Sequence, residues 1–216
     1  MNSQSLVSYF KEPALNANPS TVRIGVLAIQ GDYAAHGDAL AEAGAEPAEV
    51  RTAGDLDSLD GLVLPGGEST TMLKFLERRG LFDPLREFCA TRPVFGTCAG
   101  TILLAREVRN PAQRSLGVLD AVVERNAYGR QIDSTILTAP SSLGGEPLEM
   151  VFIRAPRIAR IGSGVEPLAF RDGSPTLVRQ GRVMAATFHP ELSRDRRVHR
   201  HFVEIVAGSL SRSIQT

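Results

Sequence analysis

The sequence feature that most constrains the fold is a nearly continuous apolar run at residues 21–30, TVRIGVLAIQ, which is rich in β-branched side chains. Such a run is typical of a strand buried on both faces of a parallel sheet, because a strand with one face in water alternates apolar and polar residues. A helix is predicted next, over residues 32–43. Apolar runs and helical segments then alternate, with the former at 61–65 and 93–96 and the latter at 69–79 and 84–91. This order predicts an α/β fold with an open, doubly wound, mostly parallel sheet.

Local signals mark the ends of two of these helices. Gly80 suits the position just past a helix end, because glycine adopts a left-handed backbone without steric cost. Asp83 followed by Pro84 predicts an N-cap with proline at the first helical position, where a missing N–H costs little.

The second half of the chain has a different order of predicted elements. After about Gly117, strand candidates follow one another without long helices between them, which indicates an antiparallel extension carried on the same core. These candidates lie at residues 118–124, 131–138, 149–153, 167–170, 176–179 and 183–188.

The chain is predicted to form one domain. A last helix is expected over about 194–207, capped by Ser193, because apolar residues recur there at helical spacing. These residues are Val198, Phe202, Ile205 and Val206. No internal repeat or linker divides the sequence, so we expect a single domain over 21–210, a loose tail at 1–20 and a short C-terminal tail at 211–216.

Composition excludes several classes of function. The 216 residues are 43% hydrophobic, and the apolar runs are too short to cross a bilayer. The 24 basic and 24 acidic residues balance, so no overall field attracts nucleic acid. Residues 1–20 lack the features of a secretory signal, and two cysteines, Cys89 and Cys98, fit a reducing compartment. We therefore expect a cytoplasmic protein that binds neither membranes nor nucleic acid.

The strongest chemical motif is GTCAG at residues 96–100, which lies between a predicted strand and a helical run at 101–106. Glycines two residues before and after Cys98 favour a sharp strand-to-helix turn that presents a nucleophile above the sheet. The helix that follows offers free N–H groups to a thiolate or an oxyanion. The competing interpretation is a buried structural cysteine in a glycine-rich turn. Cys89 has no glycine frame, and we interpret it as a packing residue.

A histidine and a glutamate at the end of a predicted strand can complete such a site. His189 and Glu191 are two apart, and on an extended segment they would point to the same side. Glu191 could then orient the imidazole of His189, which a general base requires. His199 and His201 lie in a charged helical segment and are expected to face solvent, and His36 has no evident partner.

The sequence LPGGEST at 64–70 ends a strand in two glycines at a helix start. It lacks the lysine and spacing of a phosphate loop, so its better use is to bring a backbone N–H to a reacting carbonyl. No cysteine and histidine cluster has zinc-ligand spacing, and we expect neither metal nor cofactor.

Taken in order, PGGEST, GTCAG and HPE resemble the class I, triad-type glutamine amidotransferase family. Longer segments resemble, within it, the glutaminase subunits of pyridoxal 5′-phosphate synthase, over about residues 22–207. They are IGVLAIQGD, GLVLPGGESTTM, PLREF, PVFGTCAG, LGVLDAVVERNAYGRQIDS, VFIRAP and FHPEL. Thr101 departs from the pattern, since an aliphatic residue commonly follows GTCAG.

The resemblance implies a glutaminase that delivers ammonia to a barrel-shaped synthase subunit in a hetero-oligomer. Cys98, His189 and Glu191 fall on the family's catalytic triad. Its glutamine-binding positions fall on Gly66, Gly67, Glu68, Arg125, Ile153 and Arg154. The backbone N–H groups of Gly67 and Ala99 are expected to hold the oxyanion.

Two other interpretations share parts of this pattern. A cysteine peptidase or γ-glutamyl hydrolase on the same fold would also have the cysteine elbow. A non-catalytic binding module could retain the fold, although the presence of Cys98, His189 and Glu191 together argues against it.

Overall fold

The structure is a computed structural model, and it describes residues 21–126 and 134–213. Its helices in chain order are α1 (Tyr33–Glu42), α2 (Ser69–Arg78), α3 (Phe82–Thr91), α4 (Ala99–Leu104) and α5 (Arg197–Ser213). Its first strands are β1 (Arg23–Leu27), β2 (Glu46–Val50), β3 (Gly61–Leu64), β4 (Val94–Thr97), β5 (Ala105–Arg109) and β6 (Leu119–Glu124). The remaining strands are β7 (Thr135–Ala139), β8 (Leu148–Phe152), β9 (Arg157–Ile161), β10 (Glu166–Arg171), β11 (Ser174–Gln180) and β12 (Val183–Ala186).

The predicted α/β class is confirmed by a seven-stranded sheet in the order β10-β11-β12-β4-β3-β1-β2. The five strands from β12 to β2 are parallel, and β11 and β10 are antiparallel to the strand before them. β1, β3 and β4 occupy the middle of this sheet and are almost completely buried, which explains their continuous apolar sequences.

Helices cover both faces of the central sheet. In β3, Leu62 and Leu64 pack into the core on one face, under α2, α3 and α4, whereas Val63 packs into the core on the other. That second core receives Val198 and Phe202 of α5. Alternate residues of a strand point to opposite faces, so both cores need apolar residues from the same four-residue strand.

The expected antiparallel extension consists of two small sheets in addition to β10 and β11. One contains β5, β6 and β9, in which β5 and β6 are parallel and β6 and β9 antiparallel. The other is the β7–β8 hairpin. Sequence patterning did not predict β2, β5 or β9. β2 (EPAEV) lies at the sheet edge and is mostly exposed, so it lacks a continuous apolar run.

Several predicted boundaries differ from the structure. The predicted N-cap at Asp83 is wrong: α3 begins at Phe82 after Leu81, and Pro84 occupies its third position. This position is compatible with proline because N–H groups of the first turn have no partner within the helix. Gly80 has φ +64 just past α2, as expected.

The last helix also differs from its prediction. It begins at Arg197, so Ser193 does not cap it, and the Ser193 hydroxyl instead accepts from the Asp195 N–H. Residues 211–213 continue this helix instead of starting a tail. The predicted tail at 1–20, residues 131–133 of a predicted strand, and 214–216 lie outside the described residues. Within the described ranges, no helix has the length and apolar character needed to span a membrane.

Candidate active site

Cys98 lies at the sharp turn between β4 and α4, at the carboxyl end of the parallel sheet. Its backbone has φ +48 and ψ −104, a conformation that non-glycine residues rarely adopt. A side chain on Gly100 would overlap the Leu64 carbonyl oxygen, and one on Gly96 would lie 2.7 Å from the carbonyl carbon of Gly100. The two glycines are therefore required because α4 crosses directly above β3 and β4. The predicted strand-to-helix elbow is present.

Thr101 stabilises this turn by hydrogen bonding to backbone carbonyl groups of the neighbouring strands. Its hydroxyl donates to the Ala186 carbonyl oxygen at 2.6 Å and lies 3.0 Å from the Gly96 carbonyl oxygen. The Cys98 N–H donates to the same Ala186 oxygen at 2.8 Å. A threonine at this position thus joins α4 to β12 and β4 by a polar contact that an aliphatic residue would lack.

His189 and Glu191 form a buried pair next to the elbow. His189 Nδ1 lies 2.7 Å from Glu191 Oε1. The predicted contact is present, but the predicted extended backbone is not, because Pro190–Leu192 forms a 3-10 turn. The His189 backbone N–H donates to the Val151 carbonyl oxygen at 2.8 Å, which fixes the start of the turn against β8.

The surroundings of His189 favour its protonated form. Burial alone would lower the pKa of the imidazole, but hydrogen bonding and charge attraction from Cys98 and Glu191 raise it to about 10. A side chain on Gly66 would contact both the His189 ring and the Cys98 Cβ, so the two side chains flank this glycine. The imidazole can therefore supply a proton to a group bound beside Cys98.

A cavity of about 290 Å³ opens above these residues. It is lined by every predicted glutamine-binding residue, together with Cys98 and His189. Lining residues that sequence patterns did not single out are Gly31, Asp32, Ser69, Ile102 and Asn126. Glu191 contacts the His189 ring and does not line the cavity.

Two opposite charges face this cavity side by side. Glu68 caps α2 by accepting from the N–H groups of Thr70 and Thr71 at 2.9 and 2.7 Å. Partial burial opposes ionisation, but these hydrogen bonds outweigh it and lower the pKa of Glu68 to about 2. Arg125 Nη2 lies 3.3 Å from Glu68 Oε1 and donates to the Thr70 hydroxyl at 2.6 Å. The pair suits a ligand that has an ammonium group next to a carboxylate.

The third predicted segment, Ile153 and Arg154, follows β8. The Ile153 carbonyl oxygen lies 4.0 Å from Cys98 Sγ. Arg154 has φ +45, so the chain turns sharply where it lines the cavity. Both predicted residues therefore lie at the site.

Comparison with known proteins gives the family. Residues 26–208 match the SNO glutamine amidotransferase family. The chain belongs to this family. A Koribacter versatilis protein named pyridoxal 5′-phosphate synthase subunit PdxT is 58% identical over 190 residues, which cover 88% of this chain and 98% of that protein. A protein of the same name from Thermotoga neapolitana is 50% identical over 188 residues, 86% of this chain and 100% of that protein.

Solved structures agree with the assignment to this amidotransferase family. A crystal structure of a glutamine amidotransferase superposes with a TM-score of 0.78 at 47% identity, covering 85% of this chain and 98% of the other. A putative GMP synthase component from Thermoplasma acidophilum superposes at 0.66 with 20% identity, covering 90% and 98%, which shows a shared fold. The family resemblance predicted from the sequence motifs is confirmed.

The second cysteine of this amidotransferase is separate from the cavity. Cys89 lies on the buried side of α3, and burial raises the pKa of its thiol to about 12. Neither cysteine is in a disulfide. Cys89 is therefore a protonated, unreactive thiol, which agrees with its interpretation as a packing residue.

Two histidines of this amidotransferase were interpreted wrongly from sequence. His199 was expected to face solvent and His36 to lack a partner, but both are completely buried and their ring nitrogens lie 3.1 Å apart. His36 Nε2 also lies 3.3 Å from Glu191 Oε2. Helical spacing did indicate that these two histidines are buried, since His36 precedes Leu40 by one turn and His199 precedes Phe202 on the apolar side of α5.

Proposed function

We propose that this chain hydrolyses L-glutamine to L-glutamate and ammonia through a Cys98, His189 and Glu191 triad. The observation that carries the proposal is one cavity in which an elbow cysteine and a buried histidine–carboxylate pair adjoin a glutamate–arginine pair. The first three residues supply a nucleophile and a proton carrier, and the other two match the charged groups of a free amino acid.

In the proposed first half-reaction, the Cys98 thiolate attacks the side-chain amide carbon of glutamine, and the carbonyl electrons move to oxygen. The N–H groups of Gly67 and Ala99 hold this oxyanion. His189 donates its proton to the amide nitrogen as the carbon–nitrogen bond breaks. Ammonia leaves, and a glutamyl thioester remains on Cys98.

In the second half-reaction, neutral His189 removes a proton from water, and the resulting hydroxide attacks the thioester carbon. The carbon–sulfur bond breaks when the second oxyanion collapses, so the thiolate and the imidazolium are both restored. The overall reaction converts glutamine and water into glutamate and ammonia. Glu191 stabilises the imidazolium in both halves and keeps the proton-bearing Nδ1 directed away from the substrate.

Substrate recognition is assigned to the paired charges. The ammonium and carboxylate groups of glutamine share one carbon atom, so their partners must be neighbours. Glu68 and Arg125 satisfy this condition at 3.3 Å, which makes Arg125 a better candidate than Arg154 for the carboxylate. A peptide chain has no free carboxylate and ammonium at this place, so the charge pair favours a glutaminase over a peptidase.

The names of the PdxT relatives extend the proposal to a partner. We propose that the ammonia passes to the barrel-shaped catalytic subunit of a pyridoxal 5′-phosphate synthase, in a hetero-oligomer in the cytoplasm. The family match over residues 26–208 and the 58% identity to one PdxT protein support this assignment.

The division of labour can be tested with two ammonia sources. The chain mixed with the synthase subunit is expected to hydrolyse glutamine faster than the chain alone, and to make pyridoxal 5′-phosphate from glutamine. The Cys98→Ala complex is expected to fail with glutamine but to succeed with an ammonium salt, because only the ammonia source is lost. An assembled Cys98→Ala complex that used glutamine, or that stayed inactive with ammonium, would contradict the proposal.

A further inference from the structure

A line of buried polar side chains runs away from the catalytic carboxylate into the protein. Glu191 has one carboxylate oxygen at His189, and its other oxygen, Oε2, lies 3.3 Å from His36 Nε2. The other ring nitrogen of His36, Nδ1, lies 3.1 Å from His199 Nε2. The line joins α5 and α1 to the 3-10 turn of the triad.

Burial makes this arrangement energetically important. The side chains of Glu191 and His36 are both fully inaccessible to solvent. A carboxylate without water needs hydrogen-bond donors at both oxygens, and the described residues place no other ion-pair partner at Oε2. Among the described residues Oε2 has no hydrogen-bond partner, and His36 Nε2 lies within ion-pair distance of it, at 3.3 Å. The same nitrogen lies 3.1 Å from the Thr97 hydroxyl, with which it has hydrogen-bond geometry.

The contacts select one tautomer for each histidine. If His36 carries its proton on Nε2, it donates toward Glu191, and its Nδ1 lone pair accepts from the Nε2–H of His199. The opposite choice would turn the His36 Nε2 lone pair toward a carboxylate. It would also leave a buried N–H on His199 Nδ1, for which the described part of the chain offers no hydrogen-bond partner. The first choice leaves only an unpaired acceptor there, which costs less.

Both rings are neutral in the folded protein. Burial, then the charges of His199 and His189, hold the pKa of His36 well below 6.5. Burial, then Arg196, lower the pKa of His199 to about 3, against a smaller opposing effect of Glu42. The groups that face this line are therefore His189, Glu191, Arg196, Glu42 and the Thr97 hydroxyl. His36 is a hydrogen-bond donor and not a second cation beside Glu191.

We propose that His36 is a positioning residue for the reaction: its Nε2–H, 3.3 Å away, attracts the otherwise unpaired second oxygen of Glu191, so that the first oxygen faces His189. His199 holds His36 in the tautomer that donates. This inference rests on the proposed function, because the positioning matters only if His189 and Glu191 act in the triad. It adds to the triad two residues on helices distant from it in sequence.

The proposal predicts different results for two substitutions of His36. Glutamine at this position can place an amide N–H2 near the former Nε2 and an amide oxygen near Nδ1, so His36→Gln should keep kcat within about threefold. His36→Leu removes the donor, and it should lower kcat about 10- to 100-fold with little change in KM, as is usual when a group that orients a ligating or catalytic residue is lost. The glutaminase activity is measured on the complex with the synthase subunit.

A second measurement separates positioning from general damage to the fold. The rate of Cys98 alkylation by iodoacetamide is followed against pH. In His36→Leu, a misplaced Glu191 stabilises the imidazolium less, so the pH at which the Cys98 thiol becomes reactive should move upward. Val198→Ala is the matched control, because Val198 is a fully buried neighbour of His199 in the apolar core and lacks a polar side chain. It should leave this pH profile unchanged.

A third measurement needs no folded variant. Nitrogen-15 NMR of the histidine-labelled wild-type chain reports which ring nitrogen carries a proton, and protonation of Nε2 in both His36 and His199 is expected. Finding the Nδ1-protonated form or a charged His36, or wild-type kcat and alkylation profile in a folded His36→Leu, would overturn the proposal. If the proposed function itself were wrong, Cys98→Ala would retain glutaminase activity, so the two failures are distinguishable.

Discussion

The Glu191 carboxylate lies between two imidazoles, with Oε1 2.7 Å from His189 Nδ1 and Oε2 3.3 Å from His36 Nε2. The shorter contact spans a 3-10 turn that starts just after His189. Proline within this turn restricts the backbone of His189 and Glu191, whereas the orientation of the Glu191 carboxylate also depends on side chains outside the turn. The proposed catalytic pair is therefore close in sequence and has further buried polar groups next to it.

The two cysteines should differ completely in function. Cys98→Ala removes the proposed nucleophile and should abolish glutamine hydrolysis, whereas Cys89→Ser changes a core thiol and should leave it nearly intact. A diazo-ketone analogue of glutamine should label Cys98 alone, as measured by peptide mass mapping. Labelling of Cys89, or similar loss of activity in both variants, would count against the assignment.

Glu191→Gln should preserve the fold but slow turnover by about two to four orders of magnitude, the usual range for disturbing a general base. The neutral amide can still contact His189, but it cannot stabilise the imidazolium. Steady-state glutaminase assays of the complex measure this effect, with circular dichroism to verify folding. If turnover stayed at the wild-type value, another carboxylate would have to orient His189.

Glu68→Gln should weaken glutamine binding selectively. The variant loses a charge-assisted hydrogen bond of about 1.5 to 3 kcal/mol, which corresponds to a rise in KM of about 10- to 150-fold with a smaller change in kcat. Glu77→Gln is the control, because Glu77 lies on the same helix but pairs with Arg114, outside the cavity. Equal KM values for Glu68→Gln and Glu77→Gln would exclude Glu68 from substrate recognition.

Stability should fall in mild acid because of the buried histidines. The folded pKa values of His36 and His199 are lowered, so below pH 6.5 the unfolded chain binds protons that the folded chain does not. Each histidine should then cost up to about 1.4 kcal/mol per pH unit in the free energy of unfolding as the pH falls. Well above pH 6.5 these two histidines are neutral in both the folded and the unfolded chain, so this loss of stability is absent there.

Urea unfolding at pH 7.5, 6.5 and 5.5 measures this dependence. His199→Gln should reduce the slope of stability against pH by about one proton, because the remaining buried histidine still titrates on unfolding. Val198→Ala should be less stable at every pH but keep the wild-type slope. An unchanged slope in His199→Gln would mean that His199 is already protonated in the folded protein.

The sequence by itself determined the middle strands of the central sheet and the elbow. β1, β3 and β4 are buried on both faces, so their apolar runs are unambiguous, and GTCAG needs its glycines because α4 passes within contact of the Leu64 carbonyl. The contact between His189 and Glu191 was also predicted, although the structure makes it through a 3-10 turn and not through the extended backbone on which the prediction depended. These features depend on local chain geometry and on side-chain burial that repeats along a segment.

Only the tertiary structure decided what lies around Glu191. His36, Thr97 and His199 come from separate elements, and helical spacing can indicate which face of a helix is buried but not which partners a buried histidine contacts. His199, in the charged segment RRVHRH, was expected to face solvent, yet packing of α5 against the central sheet turns it inward while Arg200 stays exposed. Burial of a polar side chain depends on a partner far away in the chain, and no local pattern encodes the meeting of the two.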